Sequence, residues 1–321
     1  MEIGSFIELQ FAKGHEYWTG NNVVRLNSGR AAIWHAFKLT ECKRILLPVY
    51  QCHSVEQFLL SKGVEIAYYN IDTEFKPLVE SISNDEAILI VNYFGIFSQT
   101  EMQRRAKKYK NVIIDNCPAF FAQPIENCLN VYSARKFLGV PDGSYVISDV
   151  VSESDMYPQD YSSDTSLFML KRIEYGCEGE VYREREKNEE RLDSSDAKIM
   201  SKLTHTILDS INYEEVIVKR KQNFQYAQDL FDNINLLNVG RFYNNTCVPM
   251  VYPLMVKDDT LIKRLINGKH FQGNWWKYIL NLPYANDFEK ELSQYMIPIT
   301  IDQRYGKTEL DYINSIVYDN K

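Results

Sequence analysis

An aspartate and a lysine with complementary chemistry each follow an apolar segment in the first half of the chain. Asp115 ends the run Val-Ile-Ile-Asp, and Lys136 lies between the apolar segment 128–131 and a turn at 141–143. An enzyme that uses pyridoxal phosphate (PLP) needs this pair: the carboxylate keeps the pyridine nitrogen protonated, and the lysine holds the aldehyde as a Schiff base. A desolvated lysine beside another cation, here Arg135, becomes a better nucleophile. A solvated loop lysine is the alternative for Lys136 alone.

A turn of small residues before the first helical pattern is a candidate anion site. Asn27 and Ser28 are favourable residue types for the N-cap of a helix, and the apolar residues that follow recur on one helical face. Free backbone N–H groups at such a helix start bind anions. An ordinary capped helix has the same pattern, so the turn indicates an anion site only when it is considered together with Asp115 and Lys136.

The order of the elements predicts an α/β fold with a mostly parallel central sheet flanked by helices. The predicted strands are apolar throughout, which is typical of a parallel sheet covered on both faces. Such sheets bind ligands at the carboxyl ends of their strands, where Asn92, Asp115 and the Lys136 loop fall. The strands are predicted at 44–48, 64–70, 86–92 and 112–115, and the helices at 50–62, 75–83 and 98–109.

The second half of the chain predicts a smaller α+β domain. We place the large domain at 1–205 and the small domain at 206–321, with a long amphipathic helix at the start of the latter. A surface loop is predicted at 149–166 because Ser, Asp and Tyr dominate there. The remaining helices are predicted at 166–173, 179–191, 199–211, 213–234, 259–266 and 308–318, and the strands at 248–256 and 296–300.

Composition narrows the classes of function. The net charge of −7 over 321 residues argues against nucleic acid as a partner. No apolar run approaches the ~20 residues of a membrane helix, and the N-terminus lacks the pattern of a signal peptide. The six cysteines form no C-x-x-C pair, so we expect neither a metal site nor disulfides. A cytoplasmic protein with reduced thiols is the resulting expectation.

Motifs along nearly the whole chain resemble those of the DegT/DnrJ/EryC1/StrS aminotransferases, which are fold-type I PLP enzymes. The resemblance depends on the order of the motifs more than on any one of them. They are Asn27 to Ala32 as the phosphate turn, Asn92-Tyr-Phe-Gly95, Ile113-Ile-Asp115, Ser133-Ala-Arg-Lys136 with Asp142-Gly-Ser144, Lys219 to Phe224, and Ile297 to Asp302.

The resemblance implies a role for each matching residue. Lys136 would bind the aldehyde, and Asp115 would pair with the ring nitrogen. The remaining cofactor contacts that it implies are Ser28, Gly29, Arg30 and Ser133 for the phosphate, Tyr50 or His53 stacked on the ring, and Asn92 near the ring hydroxyl. The segment Trp275-Trp276 resembles a loop that borders the substrate, although core packing explains it equally well.

The activity implied by the resemblance is transfer of an amino group from an amino acid, glutamate first, to a keto group. The acceptor would be a nucleotide-linked keto-sugar used for cell-surface polysaccharide or secondary-metabolite synthesis, and the enzyme a homodimer with shared active sites. Lys136 argues against the related dehydratases, which carry histidine instead. The alternatives are a non-catalytic PLP-binding sensor or scaffold and a PLP lyase. The sensor or scaffold is motivated by Pro118, where the family usually has Gln or His, and by the short segment between Asp115 and Lys136. Val131 and Ser144 also depart from the family pattern.

Overall fold

The computed structural model of the chain describes residues 3–149 and 156–319. The strands of its larger sheet are β1 (Val23–Leu26), β2 (Arg44–Pro48), β3 (Glu65–Tyr69), β4 (Glu86–Val91), β5 (Val112–Asn116), β6 (Leu129–Ser133) and β7 (Ser144–Ile147). They lie in the order β1-β7-β6-β5-β4-β2-β3. Strand β7 is antiparallel to β1 and β6, and all the other pairs are parallel. The predicted mostly parallel α/β sheet is confirmed.

Helices surround this sheet, and a second sheet of two antiparallel strands lies in the C-terminal half. The helices are α1 (Gly29–Leu39), α2 (His53–Ser61), α3 (Gln99–Ala106), α4 (Leu167–Tyr175), α5 (Glu180–Ser194), α6 (Lys202–Asp209), α7 (Tyr213–Phe231), α8 (Leu261–Asn267), α9 (Asp287–Tyr295) and α10 (Lys307–Tyr318); the two strands are β8 (Val251–Met255) and β9 (Met296–Thr300). No helix of the described residues is both long and apolar enough to cross a membrane.

The large sheet is buried on both faces, which explains why its strands are apolar throughout. Alternate residues of β4 point to opposite sides: Ala87 and Leu89 join a core with α1 and α2, whereas Ile88 and Ile90 join a core that includes α7, β8 and β9. This second core is continuous between the two sheets. The division of the chain at residue 205 stays a prediction.

The helix predicted at 75–83 is wrong, because a local turn takes its place. The Oδ1 atom of Asp72 accepts the backbone N–H groups of Glu74 (2.8 Å) and Lys76 (2.9 Å). Such Asx turns compete with helix formation. Phe75 takes φ of 58°, outside the helical region, and its side chain is buried.

Helix α9 was not predicted, although its start has a readable signal. Asn286 and Glu289 form a reciprocal capping box, the N-x-x-E pattern of a helix N-terminus. Glu289 is also buried and accepts the backbone N–H of Ile71 (2.9 Å) and the amide of Asn70 (2.7 Å). One side chain therefore caps α9 and joins it to the chain after β3, and burial raises its pKa.

The loop predicted at 149–166 lies partly outside the described residues. In its described part Tyr157 is buried, and its hydroxyl lies 2.8 Å from Nδ1 of His35 in α1. His35 is itself buried, on the inner face of α1. Burial, with a smaller contribution from nearby Lys38, lowers the pKa of His35 to about 4.

We expect His35 to make the protein less stable in mild acid. The folded state holds this imidazole neutral down to about pH 4, whereas the unfolded chain protonates it near pH 6.5. Stability is therefore lost as the pH falls from 6.5 to 4, by about 2 kcal/mol at pH 5. Urea unfolding at pH 7 and pH 5 should show a smaller loss for His35→Gln than for the native chain. The exposed-site control His53→Gln should keep the native loss, and an unchanged loss in His35→Gln would contradict the assignment.

Candidate active site

The carboxyl ends of the parallel strands β2, β4, β5 and β6 meet at one edge of the large sheet. The chain leaves β2 toward Tyr50, and Asn92 follows β4. Asp115 lies near the end of β5, and Ser133 is the last residue of β6. The backbone N–H of Asn92 donates to the carbonyl of Asp115 over 3.0 Å. The predicted residues from these strands thus share one edge.

Asp115 is a buried carboxylate, only 8% exposed. Its Oδ1 atom accepts the backbone N–H of Cys117 at 2.9 Å. Within the described residues no salt bridge forms to this carboxylate. Buried carboxylates are normally paired with cations, since removing a charge from water is costly. The edge therefore presents a fixed acceptor that suits a cationic partner.

Lys136 lies in the 3-10 turn Ala134–Lys136 that follows β6, and its side chain is exposed. It makes no salt bridge among the residues that the structure describes. Both Lys136 and Asp115 influence the thiol of Cys117. Burial and the Asp115 carboxylate raise the pKa of this thiol, whereas Lys136 lowers it. The lysine and the aspartate are thus electrostatic neighbours of the same thiol.

The predicted anion turn packs directly against these residues. Ser28 is the N-cap of α1, and its hydroxyl accepts the backbone N–H of Ala31 over 3.4 Å. A methyl group added at Gly29 would lie 2.9 Å from Sγ of Cys117 and 4.0 Å from Cβ of Ser133. The start of α1 therefore needs glycine to approach β5 and β6, and its first N–H groups have no intrahelical partner.

Backbone hydrogen bonds hold the lysine loop against the same turn. Ala134 N–H donates to the carbonyl of Gly143, and Gly143 N–H donates to that of Asn27, both over 3.0 Å. Gly143 has φ of 111°, and a side chain there would meet Thr204 at 2.9 Å. The hydroxyl of Ser144 donates to the carbonyl of Ser28 over 2.8 Å, so the departure from the family pattern at this position is a structural contact.

Both arginines of the predicted site are held by α5. Arg30 pairs with Asp193 at 2.6 Å, and Arg135 pairs with Glu189. Helix α5 was predicted as a solvated charged helix, but its inner face braces the lysine loop. Because its guanidinium is paired with Asp193, Arg30 would contact a phosphate through its backbone N–H in the turn. This contact stays a prediction.

The two candidates for ring stacking differ in burial. Tyr50 is fully buried, whereas the side chain of His53 is 47% exposed and lies 3.2 Å from Glu56. The ring of Tyr50 contacts that of Trp276 with centroids 4.6 Å apart. Trp275 stacks on Phe94 at 5.4 Å. The tryptophan segment thus packs over the edge of the sheet, and the stacking of Tyr50 or His53 on a cofactor ring stays a prediction.

Asn92 is buried beside the aspartate strand, as expected for a residue at the end of β4. Its side-chain N–H donates to Oδ1 of Asn116 over 3.0 Å. Its own Oδ1 has no hydrogen-bond partner among the described residues. The contact of Asn92 with a ring hydroxyl stays a prediction, and this oxygen is available for such a contact.

The described residues contain no cluster of His, Cys, Asp and Glu suited to a metal.

The fold is that of an aminotransferase, as comparison with solved structures shows. The chain is similar to the sugar aminotransferase CalS13 from Micromonospora echinospora, with 12% identity over 94% of this chain and 88% of that one, and a TM-score of 0.60. A DegT DnrJ EryC1 StrS aminotransferase from Brucella abortus gives 10% identity over 93% and 86% of the two chains, with a TM-score of 0.62. NtdA from Bacillus subtilis, solved with bound cofactor PMP, gives 12% identity over 92% and 72%, with a TM-score of 0.60.

Comparison at the level of sequence identifies no relative. No protein-family model matches the chain, and no curated protein matches it. The structural matches confirm the predicted fold class, and the solved structures include a protein of the family that the motifs resemble. At 10–12% identity these matches establish the fold alone, so function depends on the residues of the site.

Sequence reasoning did not identify Arg220 of α7 as a support for the site. It is 2% exposed and donates to the carbonyls of Phe137 (3.2 Å), Met250 (3.1 Å) and Pro249 (3.3 Å). Its guanidinium lies 4.5 Å from the ring centroid of Phe137, the residue after Lys136. Burial lowers the pKa of Arg220 to about 10. The Arg220 guanidinium therefore binds both the lysine loop and the segment before β8. Through it, helix α7 in the C-terminal half of the chain positions the lysine loop.

We expect Arg220→Met to lower the free energy of unfolding by roughly 3 kcal/mol, because the buried carbonyls lose their donor. The loss should appear in urea titration. Arg183→Met, on the exposed face of α5, is the matched control and should change stability by less than about 0.5 kcal/mol. Equal effects of the two substitutions would show that Arg220 does not brace the loop.

Proposed function

We propose that this protein is a PLP-dependent aminotransferase that acts on a keto-sugar linked to a nucleotide. One observation carries the proposal: the buried carboxylate of Asp115 has no cation partner in the described structure and lies at the same edge as Lys136. A protonated pyridine nitrogen supplies the missing cation, and a lysine nearby supplies the covalent bond to the aldehyde. The fold, shared with solved sugar aminotransferases, supports the assignment.

The residues at the edge fit this cofactor. The turn Ser28 to Arg30 and the hydroxyl of Ser133 would hold its phosphate at the N-terminus of α1, where the helix dipole favours negative charge. Tyr50 would pack on the ring and Asn92 would meet its hydroxyl. The close approach of Gly29 to Cys117 keeps side chains out of the turn. When bound, PLP would supply the electron sink for a carbanion at the amino-bearing carbon.

The protein's own groups would then bind, orient and move protons. The Asp115 carboxylate, fixed by the Cys117 N–H, would keep the ring nitrogen of the cofactor protonated. The Nζ atom of Lys136 would accept the proton from the amino-bearing carbon of the donor and return a proton later in the transfer. Donor and acceptor would use the same site in turn, a ping-pong cycle. Glutamate is the donor that we propose.

We expect Lys136→Ala to abolish amino transfer and the visible-range absorbance of the lysine-bound cofactor. Borohydride reduction followed by peptide mapping should find the pyridoxyl group on Lys136 of the native chain. Lys202→Ala, an exposed lysine at the start of α6, is the control and should keep both signals. Retained turnover in Lys136→Ala, or a pyridoxyl group elsewhere, would overturn the assignment.

The half-reaction with glutamate separates the proposed function from its two alternatives. Bleaching of the visible band by glutamate, with formation of pyridoxamine phosphate, supports an aminotransferase. An intact band that no amino acid changes supports a cofactor-binding sensor or scaffold. Loss of the amino acid without pyridoxamine phosphate supports a lyase.

We propose further that the enzyme is a homodimer whose partner covers the lysine. Lys136 is exposed in one chain, although a nucleophilic amine benefits from desolvation. Helix α4 has no buried side chain and exposes large apolar residues, among them Ile173 (82%) and Tyr175 (72%). It packs beside α5, which contacts the lysine loop. A patch of this kind marks an interface.

Ile173→Asp should therefore shift the protein from dimer to monomer in analytical ultracentrifugation, because it places a charge in the apolar patch. Val218→Asp is the matched control: this valine is also exposed (50%), but it lies on α7, whose other face is buried. The control should remain dimeric. A native chain that sediments as a fully active monomer would contradict the proposal.

A further inference from the structure

Two adjacent side chains beyond β2 are buried without hydrogen-bond partners. Tyr50 is 0% and Gln51 is 3% exposed. Within the described residues the hydroxyl of Tyr50 and both Nε2 and Oε1 of Gln51 have no partner. Sequence analysis considered Tyr50 only for stacking and did not single out Gln51. Three unsatisfied polar atoms in consecutive residues form a cluster that needs an explanation.

The free-energy cost of this cluster is substantial. A buried polar group without a partner has lost its hydrogen bonds to water and gained none in the protein. The backbone here is not short of partners, since the carbonyls of Tyr50 and Gln51 accept the hydroxyls of Tyr93 (2.7 Å) and Tyr278 (2.9 Å). Only the side chains lack them. Such groups persist in proteins where a ligand or bound water completes them.

The cluster lies at the candidate active site and is enclosed by the tryptophan segment. Both residues lie just beyond the carboxyl end of β2, at the edge of the large sheet where Asn92 and Asp115 also lie. On the other side Trp276 packs edge-on against Tyr50 at 4.6 Å. Trp276 has φ of 56° and ψ of 46°, a left-handed conformation that is strained for a residue other than glycine. Strain of this kind is found at ligand clamps and active sites.

The chemistry of the cluster selects a neutral ligand. Gln51 offers one acceptor and one donor group, and Tyr50 offers a hydroxyl; burial raises the pKa of Tyr50, so this hydroxyl keeps its proton. The guanidinium groups of the two arginines in the candidate site, Arg30 and Arg135, are paired with α5. A carboxylate or phosphate would find no cation in the cluster. A hydroxyl group both donates and accepts, so its chemistry suits the amide as well as the phenol.

We propose that Tyr50 and Gln51 form a neutral hydrogen-bonding pocket, closed by Trp276, that binds the sugar hydroxyls of the acceptor. The inference rests on the proposed function and deepens it, because it assigns recognition of the sugar, rather than of its nucleotide, to these residues. Gln51 is then a residue that determines specificity. A hydroxyl on the sugar ring pairs with the side-chain amide of Gln51, and a sugar that lacks this hydroxyl leaves the amide unpaired.

The test is binding of hexose-linked nucleotides to the protein loaded with pyridoxamine phosphate. Calorimetry compares dTDP-, UDP- and GDP-glucose with the free nucleoside diphosphates, for the native chain and for Gln51→Leu. We expect at least one hexose-linked nucleotide to bind the native chain about tenfold more tightly than its diphosphate, as one added hydrogen bond allows. Gln51→Leu should lose this advantage, and Gln103→Leu, an exposed control on α3, should retain it.

Thermal unfolding of the protein without substrate separates a ligand pocket from a structural role. Gln51→Leu should keep or raise the melting temperature, because leucine removes an amide that has no partner. A lower melting temperature with unchanged binding would show that an internal water satisfies Gln51 as part of the fold, and would overturn the inference. The inference would also fail if no hexose in the panel binds more tightly than its diphosphate.

The glutamate half-reaction, measured first on the same native sample, separates this inference from the proposed function. If glutamate bleaches the visible band and no hexose adds affinity, the pocket is wrong and the aminotransferase assignment stands. If glutamate fails to bleach the band, the proposed function fails. A hexose advantage that depends on Gln51 would support the pocket in either case.

Discussion

The antiparallel insertion of β7 between β1 and β6 is the constraint on which the candidate site depends. It places Gly143 against Asn27 and Ser144 against Ser28, and so joins two parts of the chain separated by more than a hundred positions. Without this pairing the turn that starts α1 would have no fixed relation to the lysine loop. The parallel strands β5 and β6 bring Asp115 to the same place, but only β7 and β1 bring the anion turn.

Around this contact the structure supports the lysine loop from three directions. Helix α5 pairs its acids with the two arginines, α6 approaches Gly143 through Thr204, and Arg220 holds the carbonyl of Phe137 from α7. The three supporting helices lie at different positions along the chain, all C-terminal to the loop itself. The position of the Lys136 amine is thus determined by most of the fold, whereas the chemistry proposed for it requires only a buried carboxylate and an anion turn.

The sequence allowed prediction of the parts of the site that follow from strand ends. Asp115 and Asn92 fall at one edge because consecutive apolar strands in an alternating pattern pair in parallel, and Ser28 caps α1 as its residue type suggests. What the sequence could not show are contacts made across the fold. The pairing of Arg30 with Asp193 and the unsatisfied amide of Gln51 depend on tertiary packing, and the helix expected at 75–83 was lost to a side-chain turn at Asp72. A readable cap at Asn286 was overlooked.

Strand β1 lies at the border of the large sheet, with a full ladder to β7 on one side. On its other side it has only isolated hydrogen bonds, from Met200 N–H to the carbonyl of Arg25 (3.4 Å) and from Asn27 N–H to that of Lys198 (2.9 Å). A border strand with one full ladder opens more readily than an interior strand with two. The anion turn at Ser28 directly follows this strand, whereas Asp115 and Lys136 are attached to interior strands. The two halves of the candidate site therefore differ in local stability. Fraying at the border would release the anion turn first and leave the aspartate and the lysine in place, so an anion held at Ser28 would in turn stabilise the border of the sheet.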